Sequence, residues 1–304
     1  LGYKKFYSKT DYKVTKENTI GLGLSDKEFF KQSIPKIKKI SEKHDKWYGI
    51  SIMLSNHTPF SDVERYGEYN VDIKGTVTKE DGTQEEVTYP YMEGTKLGNY
   101  FKSLHYADSA LGEFINELDE AGLLDNTVIV LYGDHDARLP RSEYNKLYNY
   151  NMETHEFLTE DDPNYKEYDS FQYEVGRRVP FIIWTKDSKG NEKLNREITD
   201  VMGMYDVMPT LGNMLGFSNK YALGHDIFNI KNNNIVVFPN GNWVTNKMYY
   251  NSQKEAYLSL SDEPITEEEI TKNSEYTNKL LDVSNDIIVF DLLNEKKSKE
   301  ISGE

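Results

Sequence analysis

The sequence contains no cysteine among its 304 residues. A chain without cysteine cannot form disulfides, bind zinc through thiolates or use a cysteine nucleophile. The absence fits a protein of the cytosol, and it fits equally a protein outside a bacterium that does not use disulfides. Cysteine chemistry is therefore excluded, while the compartment stays open.

Positive charge is scarce as well. Lysine and arginine together number 36 against 51 aspartates and glutamates, which gives a formal net charge of −15 at pH 7. Recognition of a phosphate backbone needs clustered basic residues, so this balance argues against a nucleic-acid-binding groove. It also disfavours general adhesion to an anionic membrane surface. An anionic substrate can still bind if a metal supplies local positive charge.

Long apolar runs are the third absence. No stretch approaches the roughly 18 consecutive apolar residues that a membrane-spanning helix needs. The chain is long enough for one large domain, or for a domain with a small appendage. Because the sequence starts with Leu1 rather than methionine, we expect it to be a segment of a longer protein.

The stretch that points most directly to chemistry follows the apolar run Val128–Tyr132. A short run rich in β-branched residues predicts a strand buried on both faces of a parallel sheet. Gly133 ends the run. Asp134, His135 and Asp136 come next, at the carboxyl end of the strand, where open α/β sheets bind their ligands. A carboxylate oxygen beside an imidazole nitrogen suits a divalent metal such as zinc or manganese. The alternative is a polar loop with a capping aspartate.

A histidine follows a second predicted strand in the same way. The apolar run at residues 47–54 predicts this strand, and it leads into a polar segment that contains His57. His57 therefore occupies the same kind of position as Asp134. We consider two roles for it: a ligand or substrate contact, and a loop histidine bonded to the backbone.

The order of the elements predicts an α/β fold. An amphipathic stretch at about residues 97–120 predicts a helix before the strand at 128–132, and this order is typical of a crossover between parallel strands. From about residue 232 the pattern changes to a hairpin around Asn240-Gly241 and a closing helix. This change predicts a small antiparallel α+β subdomain. We therefore divide the chain into residues 1–231 and residues 232–304.

Six short blocks of sequence, each weak alone, form a specific combination. Three of them are residues 122–130 with Gly133-Asp134-His135, residues 178–183 and residues 206–211. The other three are residues 19–23, Ser55-Asn56-His57-Thr58-Pro59-Phe60 and residues 238–241. The first three resemble the arylsulfatase and alkaline-phosphatase superfamily. The others are similar to the lipoteichoic acid synthases within it, the phosphoglycerol transferases of Gram-positive cell envelopes.

The resemblance implies a fold, a metal and a reaction. The fold is an α/β/α sandwich with a mostly parallel central sheet, in which residues 1–231 form a sulfatase-like catalytic domain that is incomplete at its amino-terminal side. By resemblance, Asp134 and His135 bind one divalent metal ion, manganese or magnesium, and His57 contacts the phosphoglycerol group. The implied donor is a phosphatidylglycerol-type lipid. The implied acceptor is a glycolipid or teichoic acid at the extracellular face of a Gram-positive cell membrane.

The sequence departs from that family in two ways. The family's threonine nucleophile and its acidic metal ligand lie upstream of the matching region, so we expect the isolated chain to be inactive and any transmembrane part to lie upstream too. After Gly-Asp-His the synthases usually continue with Tyr-Gly-Ile-Ser, whereas this chain has residues 136–139. Leu139 then replaces a polar substrate contact, and Arg138 becomes a candidate phosphate contact.

Two other functions remain open at this point. One is a sulfatase or another phosphodiesterase of the same superfamily. The other is a non-catalytic module whose acidic surface binds a partner.

Overall fold

The structure, a computed structural model, describes residues 3–186, 195–230 and 234–294. Spatial contacts divide the chain into two compact units, Leu1–Asn195 and Arg196–Glu304. The boundary predicted between residues 231 and 232 lies outside the described residues. Each unit has a hydrophobic cluster of its own.

The first unit carries all of the predicted site residues. Its helices are α1 (Asp26–Ser41), α2 (Lys96–Glu120), α3 (Arg141–Tyr148) and α4 (Ser170–Gly176). Its strands are β1 (Thr19–Ile20), β2 (Gly23–Leu24), β3 (Ile73–Thr78), β4 (Gln84–Tyr89), β5 (Val128–Tyr132), β6 (Tyr150–Asn151), β7 (Glu156–Phe157) and β8 (Phe181–Thr185). Among the described residues, no helix combines the length and apolar composition needed to cross a membrane.

Helix α2 confirms the predicted long helix, and its ends follow local sequence signals. Thr95 caps its start, because the Thr95 hydroxyl oxygen accepts a hydrogen bond from the Gly98 N–H at 3.0 Å. Gly122 follows its end with φ at 68°, a left-handed conformation that glycine adopts without strain. The helix packs against α1 through Phe30 and Phe114, whose ring centroids are 4.1 Å apart.

Strand β5 forms at the predicted residues, but its neighbour differs from the prediction. It pairs antiparallel with β8, with Val128 opposite Thr185 and Tyr132 opposite Phe181. The expected parallel neighbour is not found in the part of the chain that the structure describes. The reason is the connection after β5: residues 133–180 bring the chain back to the same end of the strand, so β8 runs in the opposite direction.

The burial of β5 also differs from the prediction. Val128 is 38% exposed and Tyr132 is 39% exposed, so the strand is not buried on both faces. The second predicted strand is wrong, because residues 47–54 have no regular secondary structure. An apolar run reports the tendency of side chains to be buried, but a strand also requires a hydrogen-bonded partner.

The core of the first unit lies directly beneath the two predicted site loops. Phe60, which follows His57 in sequence, and Leu139, which follows His135, are both 1% exposed. They belong to one cluster with Met92 and two other apolar residues, Val71 and Leu97. Complete burial of a large apolar side chain contributes about 1.5–3 kcal/mol. The cluster therefore ties both loops to the same packed interior.

The second unit contains the antiparallel hairpin and the closing helix predicted after residue 232, and it also contains a helix from the part of the chain before that residue. Its strands β9 (Val236–Val237), β10 (Trp243–Val244), β11 (Met248–Asn251) and β12 (Ala256–Ser259) form one antiparallel sheet, and its helices are α5 (Val207–Leu215) and α6 (Glu267–Val289). Gly241 has φ at 84° in the predicted turn between β9 and β10. Trp243 and Met248 are fully buried, and Leu280 and Leu281 of α6 pack against their cluster. The predicted α+β arrangement is confirmed.

Candidate metal and phosphate site

The chain turns sharply after β5 to expose the predicted ligands. The Gly133 N–H donates a hydrogen bond to the Pro180 carbonyl at 3.2 Å. A Cβ atom at Gly133 would lie 2.8 Å from the Cβ of Val179, so only glycine fits without a shift. Beyond this point the Asp134 side chain is 79% exposed. The carboxylate is therefore free to meet a ligand.

His135 is held in one tautomer by its own loop. Its Nδ1 atom lies 2.6 Å from the carbonyl oxygen of Asp136. A carbonyl can only accept, so Nδ1 is the donor, and in the neutral ring the Nε2 lone pair is free. Nε2 lies 3.9 Å from the Asp134 Oδ1 atom. Metal-binding histidines use this arrangement, in which one ring nitrogen is hydrogen-bonded and the other binds the ion.

His57 is held in the same way and lies next to His135. Its Nδ1 atom lies 2.8 Å from the Thr58 carbonyl oxygen, so Nε2 is again the free nitrogen. The two imidazole rings are nearly perpendicular, at 88°, with centroids 5.6 Å apart. Both roles considered for His57 are thus compatible, since the backbone bond occupies only one ring nitrogen.

The loop that carries His57 is fixed by a residue that sequence reasoning missed. Asp26, at the start of α1, is 1% exposed. Its carboxylate accepts hydrogen bonds from the N–H of Leu54 at 2.8 Å and of Ser55 at 3.2 and 3.3 Å, and its own N–H donates to the Ser55 hydroxyl. Burial raises the pKa of Asp26, and the bonds from Leu54 and Ser55 offset part of that rise.

A second contact holds the same loop from α2. The Ser103 hydroxyl donates a hydrogen bond to the Asn56 side-chain oxygen at 2.6 Å, and Ser103 is completely buried. Helices α1 and α2 therefore both hold the loop that carries His57.

Sequence reasoning also missed an ion pair between Arg177 and Asp136, a residue of the loop that carries His135. The Asp136 carboxylate accepts hydrogen bonds from Arg177 Nε and from the Arg138 N–H, each at 3.0 Å. Burial by itself raises the pKa of Asp136. The bonds from Arg177 and Arg138 outweigh burial, and the pKa lies below its usual value.

Arg138 and Leu139, the two residues that depart from the family pattern, differ in their exposure to solvent. Arg138 is exposed, with φ at 51°, and its guanidinium forms no ion pair with any described residue, so it is available to an anion. Leu139 is buried in the core with Phe60, and it does not face the site. The expectation that Leu139 occupies a substrate-contact position is wrong, because the apolar side chain turns inward to pack.

The donor atoms fit a divalent metal, although they are few. Asp134 offers a carboxylate oxygen, which suits magnesium and manganese, and His135 offers an imidazole nitrogen, which suits zinc and other transition metals. No group of three or more histidine, aspartate or glutamate side chains with metal-site geometry occurs in residues 3–186, 195–230 and 234–294.

Comparison with known families resolves the identity of the fold. Residues 1–217 match the profile of the sulfatase family. The chain belongs to the sulfatase family. The predicted resemblance is thus confirmed, and the superfamily to which it points generally uses a divalent metal.

The relatives of this sulfatase-family chain include lipoteichoic acid synthases. It is 34% identical over 308 residues to lipoteichoic acid synthase 1 of Bacillus subtilis (strain 168), a match that covers 100% of this chain and 42% of that relative. It is 32% identical over 297 residues to lipoteichoic acid synthase of Staphylococcus saprophyticus, which covers 96% of this chain and 40% of that relative. The chain thus spans about two fifths of the length of these relatives.

Solved structures confirm the α/β fold. A crystal structure of the lipoteichoic acid synthase LtaP from Listeria monocytogenes matches with a TM-score of 0.69 and 26% identity, over 94% of this chain and 64% of that one. A protein of the alkaline phosphatase superfamily from Vibrio parahaemolyticus matches with a TM-score of 0.50 and 17% identity, over 89% and 58%. The second likeness bears on the fold alone.

Proposed function

We propose that this chain forms part of a metal-dependent phosphoglycerol transferase of the lipoteichoic acid synthase type. The donor is a phosphatidylglycerol-type lipid, and the acceptor is a glycolipid or teichoic acid. The reaction takes place at the extracellular face of a Gram-positive cell membrane. The relatives support this proposal by their names, and the site supports it by its geometry.

One observation carries the proposal. The two histidines lie in different loops, yet each donates from Nδ1 to the next carbonyl and keeps Nε2 free, with ring centroids 5.6 Å apart. Two matched imidazoles beside an exposed carboxylate are more than a polar surface loop requires. The arrangement suits one metal-binding nitrogen and one substrate-binding nitrogen.

Each residue has a defined task in this proposal. Asp134 and His135 Nε2 hold one manganese or magnesium ion. The free Nε2 of His57 accepts a hydrogen bond from a glycerol hydroxyl, and the exposed Arg138 guanidinium pairs with a phosphoryl oxygen. A bound divalent ion lowers the pKa of a coordinated nucleophile and offsets charge on the phosphoryl oxygens. No residue of this chain is assigned as the nucleophile.

The test uses the full-length protein and separates metal binding from transfer. Asp134→Ala should weaken Mn²⁺ binding by at least about 100-fold, more than the loss of an outer-shell partner does. His57→Ala should leave Mn²⁺ binding intact but slow the release of diacylglycerol from phosphatidylglycerol by roughly 100-fold. Calorimetry reports the first quantity and a lipid assay the second.

The matched control is His44→Ala, because His44 is an exposed histidine outside the site. Unchanged Mn²⁺ affinity in Asp134→Ala would sink the metal assignment. Hydrolysis of an aryl sulfate without lipid turnover would favour a sulfatase instead. Absence of both metal binding and turnover in the full-length protein would favour a non-catalytic binding module.

A further inference from the structure

The loop at residues 133–139 needs support from outside itself. It has no regular secondary structure. Arg138 lies at φ 51°, a left-handed conformation that residues other than glycine rarely adopt. A loop of this kind keeps one shape only when the surrounding structure holds it.

One segment holds both ends of this loop. At the start, the Gly133 N–H donates to the Pro180 carbonyl at 3.2 Å. At the end, the Tyr173 hydroxyl donates to the Leu139 carbonyl at 2.9 Å. Both partners belong to residues 173–180, which run from α4 into β8. Residues 173–180 therefore contact both the first and the last residue of the loop.

The middle of the loop is held by a charge pair from that segment. Arg177 Nε lies 3.0 Å from Asp136 Oδ1, and Asp136 Oδ2 accepts the Arg138 N–H at 3.0 Å. The guanidinium is itself oriented by Glu174, at 3.3 Å. The Asp136 side chain is buried although it carries a charge. Both of its carboxylate oxygens thus have fixed partners.

Asp136 links this charge pair to the ligand histidine. Its side chain meets Arg177, while its main-chain carbonyl accepts the His135 Nδ1 proton at 2.6 Å. We propose that Arg177 is a positioning residue for His135. By holding the carboxylate, Arg177 fixes the orientation of the Asp136 carbonyl, which selects the tautomer that leaves His135 Nε2 free. This inference rests on the proposed function, in which that nitrogen binds the metal.

The effect is geometric rather than a matter of overall stability. The Arg177 side chain is 45% exposed, and ion pairs with an exposed partner contribute little to the free energy of unfolding. Loss of the pair should therefore change the state of one imidazole much more than it changes the stability of the fold.

The experiment compares three variants of the full-length protein with the wild type. Arg177→Ala removes the contact, and Arg177→Lys keeps the charge but loses the planar fork. Arg178→Ala is the control, because Arg178 is the exposed neighbour and has no bond to the loop in the described contacts. Long-range proton–nitrogen NMR of ¹⁵N-histidine protein, without metal at about pH 8, where an ordinary imidazole is neutral, reads the tautomer of each ring. His135→Gln assigns the signal of interest.

The expected result is a change confined to one histidine. The wild type and Arg178→Ala should show His135 protonated on Nδ1. Arg177→Ala should show a mixture of both tautomers and bind Mn²⁺ roughly 10-fold more weakly, as expected for an outer-shell partner. Arg177→Lys should restore most of both properties. If Arg177→Ala fails to fold, the lysine variant decides: a minor population of the second His135 tautomer that the wild type lacks supports the inference, and a His135 tautomer identical to that of the wild type overturns it.

Two results would overturn the inference. One is an unchanged His135 tautomer and an Mn²⁺ affinity within twofold of the wild type in Arg177→Ala. The other is an equal change in Arg178→Ala. Failure of the proposed function gives a different pattern, in which the tautomer responds to Arg177 but the wild type neither binds Mn²⁺ nor releases diacylglycerol.

Discussion

The loop that carries His57 and the loop that carries His135 hold their imidazole rings in the same way but are themselves fixed by different contacts. In the first, the buried carboxylate of Asp26 reaches in from α1 and accepts main-chain N–H groups of the loop. In the second, the carboxylate of Asp136 belongs to the loop and meets Arg177, a half-exposed cation, outside it. One anchor is part of the packed interior, and the other is partly solvated.

The two contacts therefore differ in what they contribute: one stabilises the fold, and the other orients a side chain. An acid buried among main-chain donors contributes to the stability of the fold, since its removal leaves buried N–H groups without partners. A solvated ion pair contributes little to stability but can still fix a direction. The first loop should therefore fail by unfolding and the second by misorientation of its histidine.

The largest expected effect is the loss of the buried anchor. Asp26→Ala leaves the N–H groups of Leu54 and Ser55 unpaired and should lower the free energy of unfolding by about 2–4 kcal/mol. Denaturant unfolding, followed through the fluorescence of the three tryptophans, measures the change. The control is Asp45→Ala, an exposed acid with no hydrogen bond in the described contacts. A difference between the two variants below about 0.5 kcal/mol, the usual range of surface substitutions, would show that Asp26 is not an anchor.

The next effect concerns the start of the second loop. In Gly133→Ala the new Cβ would lie 2.8 Å from the Val179 Cβ, an atom that cannot move without the main chain, so we expect a loss of about 1–3 kcal/mol. Gly112→Ala is the matched control, because no atom lies within 4 Å of its Cβ and the residue is inside α2. That variant should gain roughly 0.5–1 kcal/mol. Equal unfolding midpoints for both variants would contradict the close approach of Gly133 and Val179.

The parts of the site that could be predicted are those with a local signal. A run of β-branched residues followed by glycine and two ligand types marks Asp134 and His135, and an apolar run followed by a polar turn marks His57. Each signal depends on residues adjacent in sequence. The structure then brings the two histidines together, as their positions at the ends of apolar runs suggest.

The parts that could not be predicted depend on contacts between distant residues. Asp26 and Ser55 are 29 residues apart, and Asp136 and Arg177 are 41 apart. Isolated polar residues at such separations leave no periodic pattern in a sequence. The direction of β8 relative to β5 is of the same kind, because it depends on where the connecting residues 133–180 turn back. Apolar runs alone cannot report that path.

The smallest effect concerns pH, and it compares Asp26 with a half-buried aspartate that makes similar bonds. Asp72 accepts the N–H groups of Tyr91, Met92 and Glu93 at 2.8–3.1 Å. Partial burial alone would raise the pKa of Asp72, but these three bonds outweigh it and lower the pKa below 3.8. At Asp26 burial prevails, and the pKa lies above 3.8. The two aspartates should therefore respond to acid in opposite directions.

The signs follow from which state of the protein holds the proton more tightly. Native Asp26 binds a proton more tightly than the unfolded chain does, so its stabilising effect grows as the pH falls through the raised pKa and is complete below 3.8. Asp72 stabilises the fold above 3.8 and loses that effect as the pH falls through its lowered native pKa. Unfolding free energies of the wild type, Asp26→Asn and Asp72→Asn between about pH 3 and 7 measure both. The stability advantage of the wild type over Asp26→Asn should grow on acidification, while its advantage over Asp72→Asn should shrink. If both advantages shrink together, the Asp26 carboxylate is stabilised by its N–H donors more than it is destabilised by burial, and the contrast between Asp26 and Asp72 fails.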